Sequence, residues 1–401
     1  MQRYSEYKDS GVQWLGEIPS HWEVRKMKFT FQERSKKGYP LLPLLAATQN
    51  HGVIRKENYE NRTVEATKGL ETLKLVEEGD FVISLRSFQG GIEICHEKGI
   101  ISPAYTILRP TNIGKRYFKH LGKSPIFIQL LKSMVTGIRE GQNIDYGKLR
   151  DNLLPIPSVN EQETIANYLD SVTSKIDMAI AQQQKMIDLL NERKQIIINN
   201  AVTKGLNLNV KMKDNGVEWI GEIPEHWEVR RLKHIAKLQS GETISSDYFT
   251  EDGYPVFGGN GFRGFTNRYT NEGDYVLIGR QGALCGNVNY AYGRFYASEH
   301  AVVVYPYKLE NIVWLGEVIR ASNLNQYSQS AAQPGLAVSL IQNICYPYPP
   351  YEEREKIALF IERQIKAIED VVKNYQRQIF LLQERKQIII NDVVTGKVKV
   401  V

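Results

Sequence analysis

The chain has 401 residues, 42% of them hydrophobic and 24% charged, which is too long for one average domain and apolar enough for two to bury real cores, so general disorder is excluded. Lys and Arg outnumber Asp and Glu by 51 to 45, a formal charge of +6 that suits a polyanionic partner without requiring one. Cys95, Cys285 and Cys345 form no C-x-x-C or Cys/His cluster, excluding a disulfide framework and a structural zinc site; with a polar start and no run of about 18 apolar residues, a cytoplasmic protein is expected.

Taken from the start, residues 1–158 form a first globular unit. It opens with KDSGVQWLGEIPSHWEVRKMK (8–28), where large apolar residues alternate with Gly and Pro, as in a turn packed on its own domain. His21 lies in this block and is expected to be packed or hydrogen-bonded rather than a ligand. GDFVISL (79–85) and AYTILRP (104–110) read as strands, and 113–136 as a helix. Residues 159–204 read as one long helix, with Ile165, Leu169, Val172, Ile176, Leu190 and Ile197 on a stripe of alternating four- and three-residue steps.

The pattern then starts again. A second unit runs over 205–350, beginning with a short linker at 205–212 and then KDNGVEWIGEIPEHWEVRRLK (213–233), identical to the first block at 15 of 21 positions and carrying His226 in place of His21. GDYVLIG (273–279) and AVVVYP (301–306) read as strands, and 309–328 as a helix. Residues 351–401 form a second long helix and a tail, with Ile357, Ile361, Ile368, Leu382 and Ile389 on its stripe. LLNERKQIIINNAVT (189–203) returns there as LLQERKQIIINDVVT (381–395), 12 of 15 identical. Between the matching ends, 35–75 and 238–270 do not align. Two copies of one framework therefore present two different middles.

No catalytic constellation stands out. Gly259-Asn-Gly-Phe-Arg-Gly264 spells G-x-G-x-x-G, but the next residues, FTNRYTNEGDYVLIG, read as turn and strand, whereas a nucleotide loop needs a helix there. Glu192-Arg-Lys194 and Glu384-Arg-Lys386 lie in the long helices and read as solvated charges, not as a metal-dependent nuclease. Residues suited to DNA do occur. Arg86, Ser87 and Gln89 come after the first Gly-Asp strand, Arg280 and Gln281 after the second, and Asn260 and Arg263 sit in a Gly- and Phe-rich stretch. Arg pairs bidentately with guanine, and Asn or Gln with adenine; an ordinary polar surface turn accounts for any one of them equally well. Lys36 and Lys37 suit phosphate or solvent.

Two W-[LI]-G-E-I-P-x-H-W-E-V blocks, two E-R-K-Q-I-I-I-N helices and the divergent middles together resemble the specificity subunits of type I restriction-modification systems, over essentially the whole chain. The resemblance implies an α/β (α+β) architecture: two target-recognition domains separated by two long antiparallel helices forming a coiled coil, related by an internal pseudo-twofold. It also implies a non-catalytic subunit reading a bipartite, asymmetric double-stranded DNA site. Two methyltransferase subunits would dock on the helices and framework, joined by restriction/translocase subunits. S-adenosylmethionine, ATP and Mg would be used by those partners, and no cofactor by this chain. The rival reading is a coiled-coil scaffold with two protein-binding heads, which explains the helices but not the unlike middles.

Overall fold

The computed structural model describes residues 2–49, 51–59, 69–136, 143–207, 209–282, 284–328 and 335–400. The chain divides into two compact units, Met1–Gln183 with Arg377–Val401, and Gln184–Gln376. Each unit thus contains the start of one long helix and the end of the other.

The repeated Trp block explains how those helix ends are held. Trp22 and Trp227 are fully buried. The first helix, Val159–Lys204, is followed by Gly205 at φ +75°, where an added Cβ would lie 3.0 Å from the Trp227 ring; the second, Tyr351–Val394, is followed two residues later by Gly396 at φ +74°, whose Cβ would lie 2.3 Å from Pro19 and 3.1 Å from Trp22. Left-handed glycines end both helices because a side chain there would be strained and would displace the Trp block. Helix starts are tied down by the same blocks. His21 and the Tyr4 hydroxyl meet Glu161 at 3.1 and 2.7 Å, while His226 and Trp227 Nε1 meet Glu353 at 2.6 and 2.9 Å. Both histidines are therefore hydrogen-bonded framework residues.

Each unit is built on a four-stranded antiparallel sheet of the same order. In the first it runs Phe31–Arg34, Thr106–Pro110, Phe81–Ile83, Glu93–Ile94; in the second, Ala236–Ser240, Ala301–Pro306, Tyr275–Gly279, Val288–Ala291. The central strands are apolar at successive residues because both sheet faces are covered. Phe81, Ile83 and Leu108 face the core shared with the helix ends, whereas Val82 and Ile107 face a smaller cluster with Leu45 and Val53. The second unit repeats this, with Val276, Ile278, Val302 and Val304 on one side and Leu277 and Val303 on the other.

The covering element on the second face is a hairpin drawn from the unalignable middle: Leu45–Thr48 with Gly52–Arg55, and Tyr254–Gly258 with Gly261–Thr266. In the second unit it pairs in parallel with Arg294–Ala297 through Val256 and Phe257; in the first, Leu44 makes an isolated parallel bridge to Ile100. One scaffold therefore carries two different hairpins.

Two helical expectations change in detail. The span 113–136 contains two helices, Lys115–Leu121 and Pro125–Ser133, because Ser124 caps a new start with Pro125 in its first turn. The span 309–328 is helical over Ile312–Ala321, then turns at Asn323, φ 46°, into a short 3₁₀ segment.

The long helices are antiparallel. In the first unit Asp177 meets Lys386 at 2.7 Å, and Gln183 Nε2 donates to Gln378 at 3.0 Å. In the second, Lys194 meets Glu369 at 3.6 Å. The offset of 192 that relates the helices turns one ion pair into the other (177 to 369, 194 to 386), so the duplication makes the same bridge twice. Lys194 and Lys386, read as solvated charges, thus span to the opposite helix.

The expected seam drifts. Ile165, Leu169 and Ile176 are buried, as are Ile357, Ile361 and Ile368, and Val172, Leu190, Ile197, Leu382 and Ile389 are half-buried. Further along the same stripe Met186, Arg193 and Asn200 are exposed, and Ile187, Ile198 and Ala201 are buried in their place. A straight helix turns 3.6 residues at a time, so a 3.5-residue stripe slips by about 20° per heptad and moves over by one residue position, about 100°, in roughly five heptads, most of the length of such a helix.

Candidate nucleic-acid interface

Three short segments meet at one end of the second unit's sheet: the hairpin tip Gly258–Gly261, the turn after Tyr275–Gly279, and the turn before Ala301–Pro306. Their approach is backbone on backbone. A Cβ on Gly259 would lie 3.1 Å from the carbonyl oxygen of Gln281 and 3.2 Å from that of His300, and one on Gly279 would lie 2.0 Å from the Gly259 oxygen. Glycine is required at both positions by this contact, not by a turn. It brings Asn260, Arg280 and Gln281, far apart in sequence, onto one surface with Glu299 and His300.

The side chains there are partly committed. Asn287 Nδ2 donates to Asn260 Oδ1 at 3.1 Å, Arg280 Nη1 donates to Ser240 Oγ at 3.1 Å, and the Arg280 amide donates to the His300 carbonyl at 3.0 Å. Arg280 is therefore half-buried and oriented, and Gln281 stays exposed. Arg263 is exposed on the hairpin, its stem against Gly258 and its guanidinium 5.8 Å from the Phe249 ring centre.

The first unit makes the corresponding site from other residues. A cleft of about 1000 Å³ is lined by Arg86, Ser87 and Gln89 together with Gln49, His51, Ser102 and Tyr105. Gln49 Nε2 donates to Gln89 Oε1 at 3.4 Å, and Lys123 Nζ donates to the Gln49 carbonyl at 3.0 Å while also pairing with the Glu93 carboxylate. Burial pushes the Glu93 carboxyl up to about 7, against the pull of Lys123.

One expectation for this unit changes. Ser87 is 2% exposed, and its hydroxyl accepts the Ser84 amide at 2.8 Å, so at the cleft wall its hydroxyl is committed to closing the turn that presents Arg86. Lys36 and Lys37 are exposed but do not line the cleft. Gln49 and His51 carry no sequence signal because the first hairpin has no counterpart of Gly258-Gly-Asn-Gly261, and Glu299-His300 carry none because a polar pair before a strand looks like any turn. Among the described residues no group of three or more His, Cys, Asp or Glu is placed to hold a metal ion, and no helix is long and apolar enough to cross a membrane.

The chain is thus a duplicated framework that carries two unlike polar surfaces, one in each unit. Residues 224–376 match the family described as type I restriction modification DNA specificity domain. The chain is 43% identical over 139 residues to the type I restriction enzyme EcoprrI specificity subunit of Escherichia coli, covering 33% of this chain and 35% of that protein. It is 26% identical to the putative type I restriction enzyme MjaX specificity subunit of Methanocaldococcus jannaschii over 96% of both. In fold it matches a chain from a solved type I R-M system with a TM-score of 0.72 at 14% identity, covering 95% of this chain and 99% of that one. The HsdS subunit of Thermoanaerobacter tengcongensis matches with a TM-score of 0.50 at 14% identity, covering 95% and 98%. Along nearly its whole length the chain is thus similar to type I restriction enzyme specificity subunits, with the family match confined to residues 224–376.

Proposed function

We propose that this chain selects the DNA sequence on which a type I restriction-modification complex acts, each unit reading one half of a bipartite site, and that it performs no chemistry itself. The observation that carries the reading is the pair of sheets of the same strand order bearing unlike hairpin tips. One framework explains why the same surroundings serve both halves, and the unlike tips explain why the halves differ. Planar donors and acceptors at the tips (Asn260, Arg280 and Gln281 in one unit; Arg86, Gln89 and Gln49 in the other) are of the kind that read base edges in the major groove.

The repeat also points to the partners. Leu189 and Ile196 on the first long helix are 48% and 52% exposed, and their counterparts by the 192 offset, Leu381 and Ile388 on the second, are 50% and 59% exposed. Residues seven apart share a helix face, so the same apolar pair is displayed twice. Two identical methyltransferase subunits would take these faces, supplying S-adenosylmethionine chemistry, and restriction/translocase subunits using ATP and Mg would join through them. The long helices would set the unread gap between half-sites.

Methylome sequencing of cells with and without the chain tests this directly. A bipartite methylated motif that disappears with the chain is the expected result. A methylation pattern indifferent to it refutes the reading.

A further inference from the structure

Resting on the DNA-reading function above, we propose that the turn Ser298-Glu299-His300-Ala301 is a third reading segment of the second unit. In it Glu299 accepts a hydrogen bond from an exocyclic amino group in the major groove, cytosine N4 or adenine N6. His300 is the positioning residue that holds the carboxylate.

The geometry begins with the backbone. The Ala301 amide donates to the Ser298 carbonyl at 2.9 Å, closing a β-turn whose two central residues are Glu299 and His300. The turn is pinned on both sides. The Ser298 amide donates to the Phe257 carbonyl at 2.8 Å, on the hairpin, and the His300 carbonyl accepts the Arg280 amide at 3.0 Å. Glu299 and His300 are thus fixed beside the two segments that carry Asn260, Arg280 and Gln281.

The polar groups of this turn are left incomplete. His300 Nε2 meets Glu299 Oε1 at 3.1 Å, with the side chains 39% and 33% exposed. Glu299 Oε2, His300 Nδ1, Ser298 Oγ and Arg280 Nε are each shielded from solvent without a hydrogen-bond partner among the described residues. Buried polar atoms of folded proteins are as a rule paired, so the turn holds its polar groups under-satisfied, and the part of the Glu299 side chain that stays exposed, 33%, is what a base can reach. Arg280 already supplies donors. What the site lacks is the donor that a carboxylate would take up, and the major-groove edges offering one are those of cytosine and adenine, through their amino groups.

The first unit supplies the contrast. Its corresponding turn is closed by the Tyr105 amide on the Ser102 carbonyl at 3.2 Å, and its central residues are Pro103 and Ala104, whose side chains can neither donate nor accept. The same framework position is therefore a base-reading turn in one unit and a silent one in the other.

The test uses the full chain assembled with its cognate methyltransferase subunits, with binding measured on the wild-type motif and on duplexes in which single cytosines or adenines of each half-site are replaced by 2-pyrimidinone or purine, which lack the amino group. At one position of the half-site read by the second unit, the wild-type chain should lose about 5- to 150-fold in affinity, the range expected for one base contact. Glu299→Ala should be insensitive to that same replacement, and the identity of the sensitive base separates cytosine from adenine. Glu299→Gln should relax methylation at that position alone, leaving the other half-site and the gap unchanged. His300→Phe should weaken the discrimination while total affinity for non-specific DNA stays at the wild-type level. Equal sensitivity of wild type and Glu299→Ala to every replacement overturns the proposal. So does wild-type binding unmoved by any amino-group removal in that half-site, a result that needs no variant to fold. A wild-type complex that selects no sequence would instead overturn the parent reading.

Discussion

Substitution Gly279→Ala isolates the contact on which the candidate surface of the second unit depends. An added Cβ would sit 2.0 Å from the Gly259 carbonyl oxygen and 2.8 Å from its carbon. Both neighbours are backbone, so no flexible side chain can move aside, and relief requires the hairpin to retreat from the sheet by more than an ångström. Overpacking of this kind costs about 1–3 kcal/mol. In a unit of this size that corresponds to a fall in melting temperature of roughly 2–12 °C for the second unit's transition. Because the retreat moves Asn260 away from Arg280 and Gln281, affinity for the second half-site should drop, and that for the first should hold. Gly335→Ala is the matched control, since its Cβ would lie 3.7 Å from the Arg280 oxygen, an ordinary contact. Calorimetry of the full chain and binding to duplexes scrambled in one half-site at a time give both readouts. If Gly279→Ala melts and binds like the Gly335→Ala control, the three segments do not form one surface and the reasoning fails.

Asp substitution at Ile196 should remove one methyltransferase subunit from the assembly and the double change with Ile388→Asp both, each lowering the mass measured by light scattering while circular dichroism stays constant. One heptad inserted into each long helix, after Ile180 and after Asn374, adds about 10.5 Å at 1.5 Å per residue, and should lengthen the unread gap in the methylated motif by about three base pairs with both half-sites unchanged. A pH dependence comes from Glu93. Burial raises its carboxyl from 4.5 to about 7, so the folded state holds a proton that the unfolded chain has released. The associated stability is complete below about 4.5 and is lost as pH rises towards about 7. Glu93→Gln should flatten the first unit's stability over that interval in denaturant titrations.

Much of the architecture was legible from the residues because duplication is a one-dimensional signal. Trp22 and Trp227 in copied blocks, and the two E-R-K-Q-I-I-I-N segments, locate both frameworks and both helices without coordinates. Apolar runs such as AVVVYP (301–306) announce strands covered on two faces. The helix seam was read correctly near Ile165 and Ile357 and lost by Met186, since a fixed 3.5-residue stripe does not anticipate how far a real helix rotates.

The candidate surfaces were only half visible. Arg86, Arg280 and Asn260 could be singled out by chemistry, since Arg and Asn side chains suit base edges, and Arg280 and Asn260 also adjoin glycine. That Ser87 faces inward, that Gln49 and His51 stand beside Gln89, and that Glu299 and His300 join Asn260 were settled by tertiary structure alone. Local sequence specifies which residues a strand or turn contains, through periodicity and backbone preference. Which turns meet is decided by sheet order and by the distance to which two backbones can approach, here across Gly259 and Gly279, and that information resides in packing between segments remote in sequence.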